Sequence, residues 1–169
     1  SESPLDPKTV KEYPLTITNG RLPIYHHGTL RNVPYIREIM PTAEIWINPD
    51  TAKKQGIAQD DWVWIESPRG KIRARARLTE SMNPHVVYME RFWNPETLNT
   101  PTHGWQEENY NVLTKNTPPF NDVVGTYTLR GIQVKVYKAD GAPAGVWTKP
   151  EDFKPWMPQP SDPTKNVEF

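Results

Sequence analysis

The sequence predicts a mainly β protein whose short strands close into a small barrel with one short helix. Three observations support this prediction. Short apolar–polar alternations recur along the chain, separated by turn-forming residues. One segment between the second and third alternation carries helix signals instead. The chain also holds 19 prolines and seven tryptophans among 169 residues, which favours turns, extended segments and a few large apolar anchors over long helices.

Six segments alternate in the manner of half-buried strands. They are Tyr13–Thr18, Glu44–Ile47, Trp62–Glu66, Lys71–Leu78, His85–Met89 and Ile132–Tyr137. The dipeptide Asn19-Gly20 is typical of a tight turn with positive φ, so the first strand is expected to stop there. The following stretch, 21–37, shows no sustained period and is interpreted as a loop. The turn-forming residues 67–70 predict a hairpin between the third and fourth strands.

Helix signals are concentrated between Asn48 and Gly56. Asn48 is suited to cap the helix, Pro49 to open its first turn and Gly56 to end it. Around these elements the chain divides into three parts. Residues 1–12 form a polar lead-in, residues 13–138 the barrel domain, and residues 139–169 a Pro-rich extended tail that is expected to lie on another surface.

The composition excludes several classes of function. The 20 basic and 20 acidic residues balance, so no global charge favours a nucleic-acid or acidic membrane partner, and an anion site has to be local. The chain contains no cysteine, which excludes disulfides, thiolate metal sites and iron–sulfur ligation within these residues. No apolar run is long enough to span a bilayer, and no leader segment is visible, so direct membrane insertion is not expected.

Several motifs follow one another in a fixed order. They are Thr18-Asn19-Gly20-Arg21, His26-His27, Arg31-Asn32-Val33-Pro34, Asn48-Pro49-Asp50-Thr51-Ala52, Gly56-Ile57 and Asp60-Asp61-Trp62-Val63. In this order and spacing the chain resembles the C-terminal dinucleotide-binding domain of the dimethyl sulfoxide reductase family of molybdopterin oxidoreductases. The resemblance covers roughly residues 13 to 138. It is closest to the branch with acetylene hydratase, polysulfide and thiosulfate reductases and hydroxyl-transferring enzymes.

The resemblance implies a fold and a cofactor. The fold is a double-psi β-barrel of about six strands with short helices. The cofactor is molybdopterin guanine dinucleotide, which holds molybdenum or tungsten through its dithiolene, so that no metal ligand and no catalytic residue is expected in this chain. The expected partners are upstream catalytic domains or a large subunit, with an iron–sulfur subunit as a further candidate, in a parent enzyme that is either cytoplasmic or exported.

The resemblance also implies a set of cofactor-binding residues. They are Thr18, Asn19, Gly20, Arg21, His27, Thr29, Arg31, Asn48, Asp50, Asn111 and Arg130. The segment Thr18–Arg21 is expected to meet the pyrophosphate or ribose, and the His27 loop the pterin or a phosphate. Many relatives carry a serine directly after this histidine; here Gly28 stands in its place, and Thr29 is the substitute.

The remaining residues of this set suit the two ring systems. A carboxylate at Asp50 can accept from the pairing edge of guanine, while the amide of Asn48 can donate to its carbonyl. Asn111 and Arg130 are assigned to the pterin. Each residue also has a simpler interpretation: Asn48 as a helix cap, Asp50 as a complement to the helix dipole, and the others as ordinary turn, surface or packing residues.

The fourth strand carries a basic stripe that supports two other functions. Lys71, Arg73, Arg75 and Arg77 share one face and could follow a nucleic-acid backbone or a carbohydrate. We expect instead a solvated or subunit-facing surface, especially if acids of a neighbouring strand pair with the stripe. A third alternative is a plain interaction module whose tail wraps a partner. Trp62 and Trp64 share one face of the third strand, and at least one is expected in the core or against the rest of a parent enzyme.

Overall fold

The protein forms a closed six-stranded barrel. The computed structural model describes residues 6–31, 33–91, 93, 105–114, 123–125 and 130–143. The strands are β1 (Leu15–Gly20), β2 (Glu44–Ile47), β3 (Trp62–Glu66), β4 (Lys71–Leu78), β5 (Val86–Glu90) and β6 (Ile132–Lys138). The α-helices are α1 (Pro7–Glu12), α2 (Pro34–Ile39), α3 (Pro49–Lys54) and α4 (Trp105–Glu108), and a 3₁₀ helix spans Tyr110–Leu113. The mainly β prediction is confirmed.

The strand order gives the barrel an internal two-fold relationship. Around the barrel the strands follow the order β1-β5-β2-β4-β3-β6. If β1 is exchanged with β4, β2 with β5 and β3 with β6, the same cyclic order results, read in the opposite direction around the barrel. The parallel pairs β1–β5 and β2–β4 exchange with each other, while the remaining pairs are antiparallel. Two interlocked three-stranded halves of this kind are the double-psi arrangement, and closure leaves no free sheet edge.

Strand direction defines two ends of the barrel. At the upper end β1, β3 and β5 finish while β2, β4 and β6 begin; at the lower end the reverse holds. The connections that carry Arg21, His27 and Arg130 therefore leave the upper end. Asn48 and α3 follow β2 at the lower end. By their registers with β5, Asn48 lies four residues below Gly20, a separation of about 13 Å along the strands at about 3.3 Å per residue.

Strand alternation builds the core. Inward-facing residues of all six strands are fully or nearly fully buried; among them are Ile17, Ile45, Val63, Ile65, Ile72, Val87, Met89 and Val134. On β4 the inward positions after Ile72 are Ala74 and Ala76. Small side chains here leave room for the large aliphatic residues of the facing strands. None of the helices in the described ranges is long and apolar enough to cross a membrane.

Most of the predicted elements are confirmed. β2, β3 and β4 have the predicted bounds, β5 is shifted by one residue at both ends, and β6 is one residue longer at its C-terminal end. Helix α3 is capped as predicted, because the Asn48 side chain accepts a hydrogen bond from the Asp50 amide at 2.9 Å and Gly56 adopts a φ of 65°. The tail from residue 144 and most of the stretch from 92 to 121 lie outside the described residues.

The turn predicted at Asn19-Gly20 was wrong. β1 runs through both residues, which pair with Met89 and Glu90 of β5. The parallel ladder therefore extends the strand past a dipeptide whose local tendency is to turn. Gly20 has a different role, because a Cβ built there would lie 2.7 Å from the hydroxyl oxygen of Tyr88 and would displace its ring. The glycine allows close strand packing rather than positive φ.

Four short helical elements were not located by the sequence analysis: α1, α2, α4 and the 3₁₀ helix. In the lead-in, Asp6 accepts from the Thr9 amide at 3.2 Å and Pro7 opens α1, which is a cap signal that the sequence already contained. In the stretch interpreted as a loop, Pro34 opens α2 without a side-chain cap at Val33. Pro34 is therefore the local signal at the start of α2, and packing of residues such as Ile36 against the barrel stabilises this helix.

The tryptophans of β3 face outward. Trp62 and Trp64 are half-buried on the outer wall while Val63 and Ile65 fill the core. Of the two alternatives predicted for these residues, a place in the core is excluded, and packing against another part of a larger protein stays a prediction. Lys71 and Arg73 lie over the Trp64 ring at 4.4 and 4.7 Å from its centroid. These cations cover part of its apolar surface.

Candidate functional site

Positive charge collects at the upper end of the barrel. Arg21 follows β1, Arg91 follows β5 and donates its amide to the Gly20 carbonyl, and Arg130 precedes β6. His27 lies in the same group, because the positive charges of Arg21 and Arg91 both lower the pKa of its imidazole. Arg21 and Arg130 are exposed and form no ion pair with a described residue. We name these four residues, Arg21, His27, Arg91 and Arg130, the basic cluster.

Burial and neighbouring cations disfavour the protonated form of His27. Burial, followed by the charges of Arg21, His26 and Arg91, holds the pKa of this imidazole below its ordinary value of 6.5. A neutral imidazole can donate one hydrogen bond and accept another. An arriving anion would oppose the arginine charges and favour the protonated form, so the cluster is suited to bind a phosphate group.

Two buried polar side chains, Asn19 and Tyr110, lie next to the basic cluster. Asn19 faces inward from β1 and is 4% exposed. It forms a side-chain hydrogen bond with Tyr110. This bond and the positive charges of Arg91 and Arg130 each lower the pKa of the Tyr110 phenol. Burial nevertheless raises the Tyr110 pKa above its ordinary value of 10.0. The end of β1 is therefore connected to the 3₁₀ helix beside the arginines.

The other residues of the Thr18–Arg21 segment lie at different heights on β1. Thr18 is half-buried beside Tyr88 of β5, below the end of the strand. Gly20 is at the upper end against the Tyr88 ring. The structure therefore brings Asn19, Gly20 and Arg21 to the basic cluster and leaves Thr18 on the barrel wall.

His27 is presented by a tight turn. The Thr29 amide donates to the His26 carbonyl at 2.9 Å and the two residues form an isolated β-bridge. His27 has a φ of 56°, which is uncommon outside glycine and costs free energy. The hydroxyl of Thr29 also bonds the His26 carbonyl. Thr29 therefore stabilises this turn, and we name residues 26–30 the His27 turn.

Arg31 is already engaged within the protein. It donates two parallel hydrogen bonds to Glu90, from Nη1 at 2.9 Å and Nη2 at 2.8 Å, and both side chains are almost completely buried. Nη2 also donates to the His27 carbonyl at 3.1 Å. Burial raises the Glu90 pKa, an effect that Arg31 opposes. Its guanidinium thus supports the His27 turn from beneath instead of facing a ligand.

Asn111 is exposed on the 3₁₀ helix. The hairpin between β3 and β4 holds this helix in place: Ser67 Oγ donates to the Leu113 carbonyl at 3.1 Å. Gly70 allows the contact, because a Cβ there would lie 2.8 Å from Cγ1 of Val112. Asn111 is therefore presented at the upper end, on the segment that also carries Tyr110.

Asn48 and Asp50 lie at the lower end, away from the basic cluster. The Asn48 side chain uses both polar atoms within the protein, because Oδ1 accepts from the Asp50 amide and Nδ2 donates to the Met82 carbonyl at 2.8 Å. Asp50 is exposed in the first turn of α3. The structure therefore does not bring these two residues together with the other predicted site residues.

The basic stripe of β4 is largely paired with acids. Arg73 bonds Glu107 of α4. Arg75 and Arg77 reach Glu44 of the neighbouring β2, at 3.6 and 3.3 Å. An acid of the neighbouring strand therefore pairs with two of the four cations, the condition that favours a solvated or subunit-facing surface. Because these carboxylates already neutralise the arginines, the stripe offers little net attraction to a polyanion.

Comparison with known proteins decides the family. The family model for the molydopterin dinucleotide binding domain matches residues 15–132, the range that holds the barrel and the basic cluster. The chain belongs to this family. It is a domain for binding molybdopterin guanine dinucleotide, and the resemblance found in the sequence is confirmed.

Curated relatives of this domain are much longer enzymes. Dopamine dehydroxylase of Eggerthella lenta is 42% identical over 137 residues, which cover 80% of this chain and 13% of the relative. The alpha subunit of an F420-dependent formate dehydrogenase of Methanocaldococcus jannaschii is 40% identical over 106 residues, 62% of this chain and 14% of the relative. The chain thus spans about an eighth of the length of these relatives.

Among solved structures, acetylene hydratase from Pelobacter acetylenicus has the same fold. It superposes with a TM-score of 0.70 at 22% identity, over 79% of this chain and 19% of that chain. The matched part is again a small share of a larger enzyme.

The residues at the upper end fit the anionic part of the cofactor. A pyrophosphate needs cations and hydrogen-bond donors, and the basic cluster supplies both. Sequence reasoning predicted Arg21, His27 and Arg130 as site residues and did not single out Arg91, Tyr110 and Glu90. Arg91 and Glu90 follow one another at the end of β5, and their role depends on the parallel pairing with β1, which no local pattern reveals.

Proposed function

We propose that this domain binds molybdopterin guanine dinucleotide at its upper end, with the pyrophosphate against the basic cluster. The observation that carries the proposal is the convergence of Arg21, His27, Arg91 and Arg130 at the ends of β1 and β5 and the start of β6. Asn111, exposed on the adjoining 3₁₀ helix, is proposed to meet the pterin, because an amide can both donate and accept along its edge.

In this proposal the chain positions the cofactor and carries no catalytic residue. When bound, the cofactor supplies the dithiolene-held molybdenum or tungsten at which electrons are exchanged. Arg21 and Arg130 neutralise the phosphate charge, and His27 adds a directed hydrogen bond. Arg31 and Asn48 are assigned structural roles, Arg31 beneath the His27 turn and Asn48 at the start of α3.

Isothermal titration calorimetry with GDP-mannose tests the proposal. This probe carries guanosine and a pyrophosphate diester, as the cofactor does. We expect saturable binding with a Kd of about 1 mM or tighter at low salt, weakening as salt is added. Guanosine alone, which lacks the phosphates, should bind far more weakly. Equal binding of guanosine and GDP-mannose, or no binding of either by a folded chain, would contradict the proposal.

The pH dependence of this binding should follow His27. Its pKa is depressed in the free domain, so the neutral form dominates at pH 7. A bound pyrophosphate favours the imidazolium, so affinity is expected to rise as pH falls from about 7.5 to about 5.5. The diester does not titrate in this window, unlike a terminal phosphate, whose second pKa is about 6.

Two variants isolate this effect. His27→Asn should flatten the pH profile of binding, whereas His26→Asn, in the neighbouring exposed histidine, should leave its slope unchanged. If the affinity of the His27→Asn variant still rises as pH falls, another group is responsible for the pH dependence.

We further propose that this domain serves a longer molybdenum or tungsten oxidoreductase whose other domains complete the cofactor site. The support is the small share of each relative that the chain covers. Since the relative at 42% identity is named a dopamine dehydroxylase, removal of an aromatic hydroxyl group is the reaction to assay first. Metal analysis of the purified full-length protein should find molybdenum or tungsten; absence of both would contradict this proposal.

A further inference from the structure

A buried ion pair lies directly beneath the His27 turn. Arg31 and Glu90 meet through two parallel hydrogen bonds, with side chains 3% and 4% exposed. The guanidinium is also stacked between two aromatic rings, 4.1 Å from the Tyr25 centroid and 4.4 Å from the Trp93 centroid. This combination of fork geometry and stacking allows arginine a single orientation, which lysine could not reproduce.

The pair connects three parts of the upper end. Glu90 is the last residue of β5. Arg31 reaches up to the His27 carbonyl at 3.1 Å, and its own carbonyl accepts from Arg37 of α2 at 3.2 Å. The His27 turn, α2 and the end of β5 are therefore held by one guanidinium and its backbone.

Stability alone does not account for an ion pair in this position. Removing two charges from water is costly, and a well-packed apolar pair is often equally or more stable. What the pair supplies is geometry, because its bond to the His27 carbonyl restrains a turn with φ of 56° at His27 and 69° at Leu30. Such backbone persists only where its surroundings enforce it.

We propose that Arg31 and Glu90 are positioning residues that hold the His27 turn in the geometry needed to bind the cofactor pyrophosphate. The ligand in this inference rests on the proposed function, but the restraint on the turn does not. Glu90 acts through Arg31, and Arg31 acts through the His27 carbonyl. Neither side chain is expected to contact the cofactor.

The test compares Glu90→Gln with Glu44→Gln in the 169-residue chain. Glu44 is a matched control, because it also pairs with arginines but lies on the outer wall. Two quantities are measured: hydrogen exchange of the Thr29 amide, which closes the His27 turn, and affinity for GDP-mannose. Glu90→Gln should speed that exchange and weaken binding by about 10-fold each, as expected for the loss of one charge-assisted hydrogen bond. Glu44→Gln should change neither.

A second variant keeps the test decisive if Glu90→Gln does not fold. The double replacement Arg31→Met and Glu90→Leu removes the charges while filling the space. It should keep the barrel amides protected yet release the Thr29 amide and weaken binding. Wild-type protection of Thr29 in this folded variant would overturn the inference. If the turn loosens as expected but the wild-type chain itself binds no GDP-mannose, the positioning role stands and the proposed function fails.

Discussion

Replacing Arg21 and Arg130 together with glutamine is expected to lower the affinity for GDP-mannose by about 100-fold at low salt. Each residue is proposed to donate a charge-assisted hydrogen bond to the pyrophosphate, worth about 1.5 kcal/mol or a factor of about 10. Both side chains are exposed, so the fold should be unaffected. Calorimetric titration at two salt concentrations measures the loss of affinity. It also shows whether binding by the variant still weakens as salt is added.

The matched control removes the same charge at the lower end. Lys53 and Lys54 are exposed in the last turn of α3. Their double replacement with glutamine should change affinity by less than about 2-fold, because screening weakens charges more than about 10 Å from the ligand. Equal losses in the two double variants would show that net charge, rather than a site at the upper end, governs binding.

Replacing Trp93 with alanine is expected to lower the free energy of unfolding by about 3–5 kcal/mol. Trp93 is 1% exposed and is the largest of the fully buried side chains described. Its ring meets Tyr25 edge to face at 5.8 Å and lies 4.4 and 5.2 Å from the guanidinium carbons of Arg31 and Arg37. Alanine leaves a cavity and removes the aromatic surface on which both cations rest.

Urea denaturation measures this loss. Trp105→Ala removes the same side chain from a position that is 47% exposed, and it should cost less than about 1 kcal/mol. A similarly small cost for Trp93→Ala would mean that the upper end is not supported by this aromatic and arginine packing.

The wall of the barrel was predictable because strands have a local signature. β2, β3 and β4 begin and end where apolar–polar alternation begins and ends, since burial of alternate side chains selects the pattern. Helix α3 was equally readable, because Asn48, Pro49 and Gly56 each serve the helix end where they occur.

The incorrect predictions fall where contacts between residues distant in the sequence determine the local structure. Asn19-Gly20 turns in most contexts, but here β5 pairs with both residues and continues the strand. Helix α2 has no cap and is stabilised by packing on the core. Tertiary interactions outweigh local tendencies of this size, which amount to about 1 kcal/mol per residue.

The same reason limited the prediction of the site. Arg21, His27 and Arg130 were identified because their motifs resemble those of the family. The pairing of Arg31 with Glu90 spans 59 positions in the sequence, and the contact of Asn19 with Tyr110 spans a still longer stretch. Neither can be read from spacing. Conversely, Asn48 and Asp50 share a motif with the site residues but lie at the other end of the barrel.

The location of the bound pyrophosphate tests the central claim most directly. A two-dimensional NMR titration with GDP-mannose would follow backbone amides at both ends. We expect saturable shifts at Gly20, Arg21, the His27 turn, Arg91 and Arg130, with no change around α3. Shifts confined to Asn48–Thr51 and the facing residues 82–85 would place the ligand at the lower end and contradict the assignment made from the basic cluster.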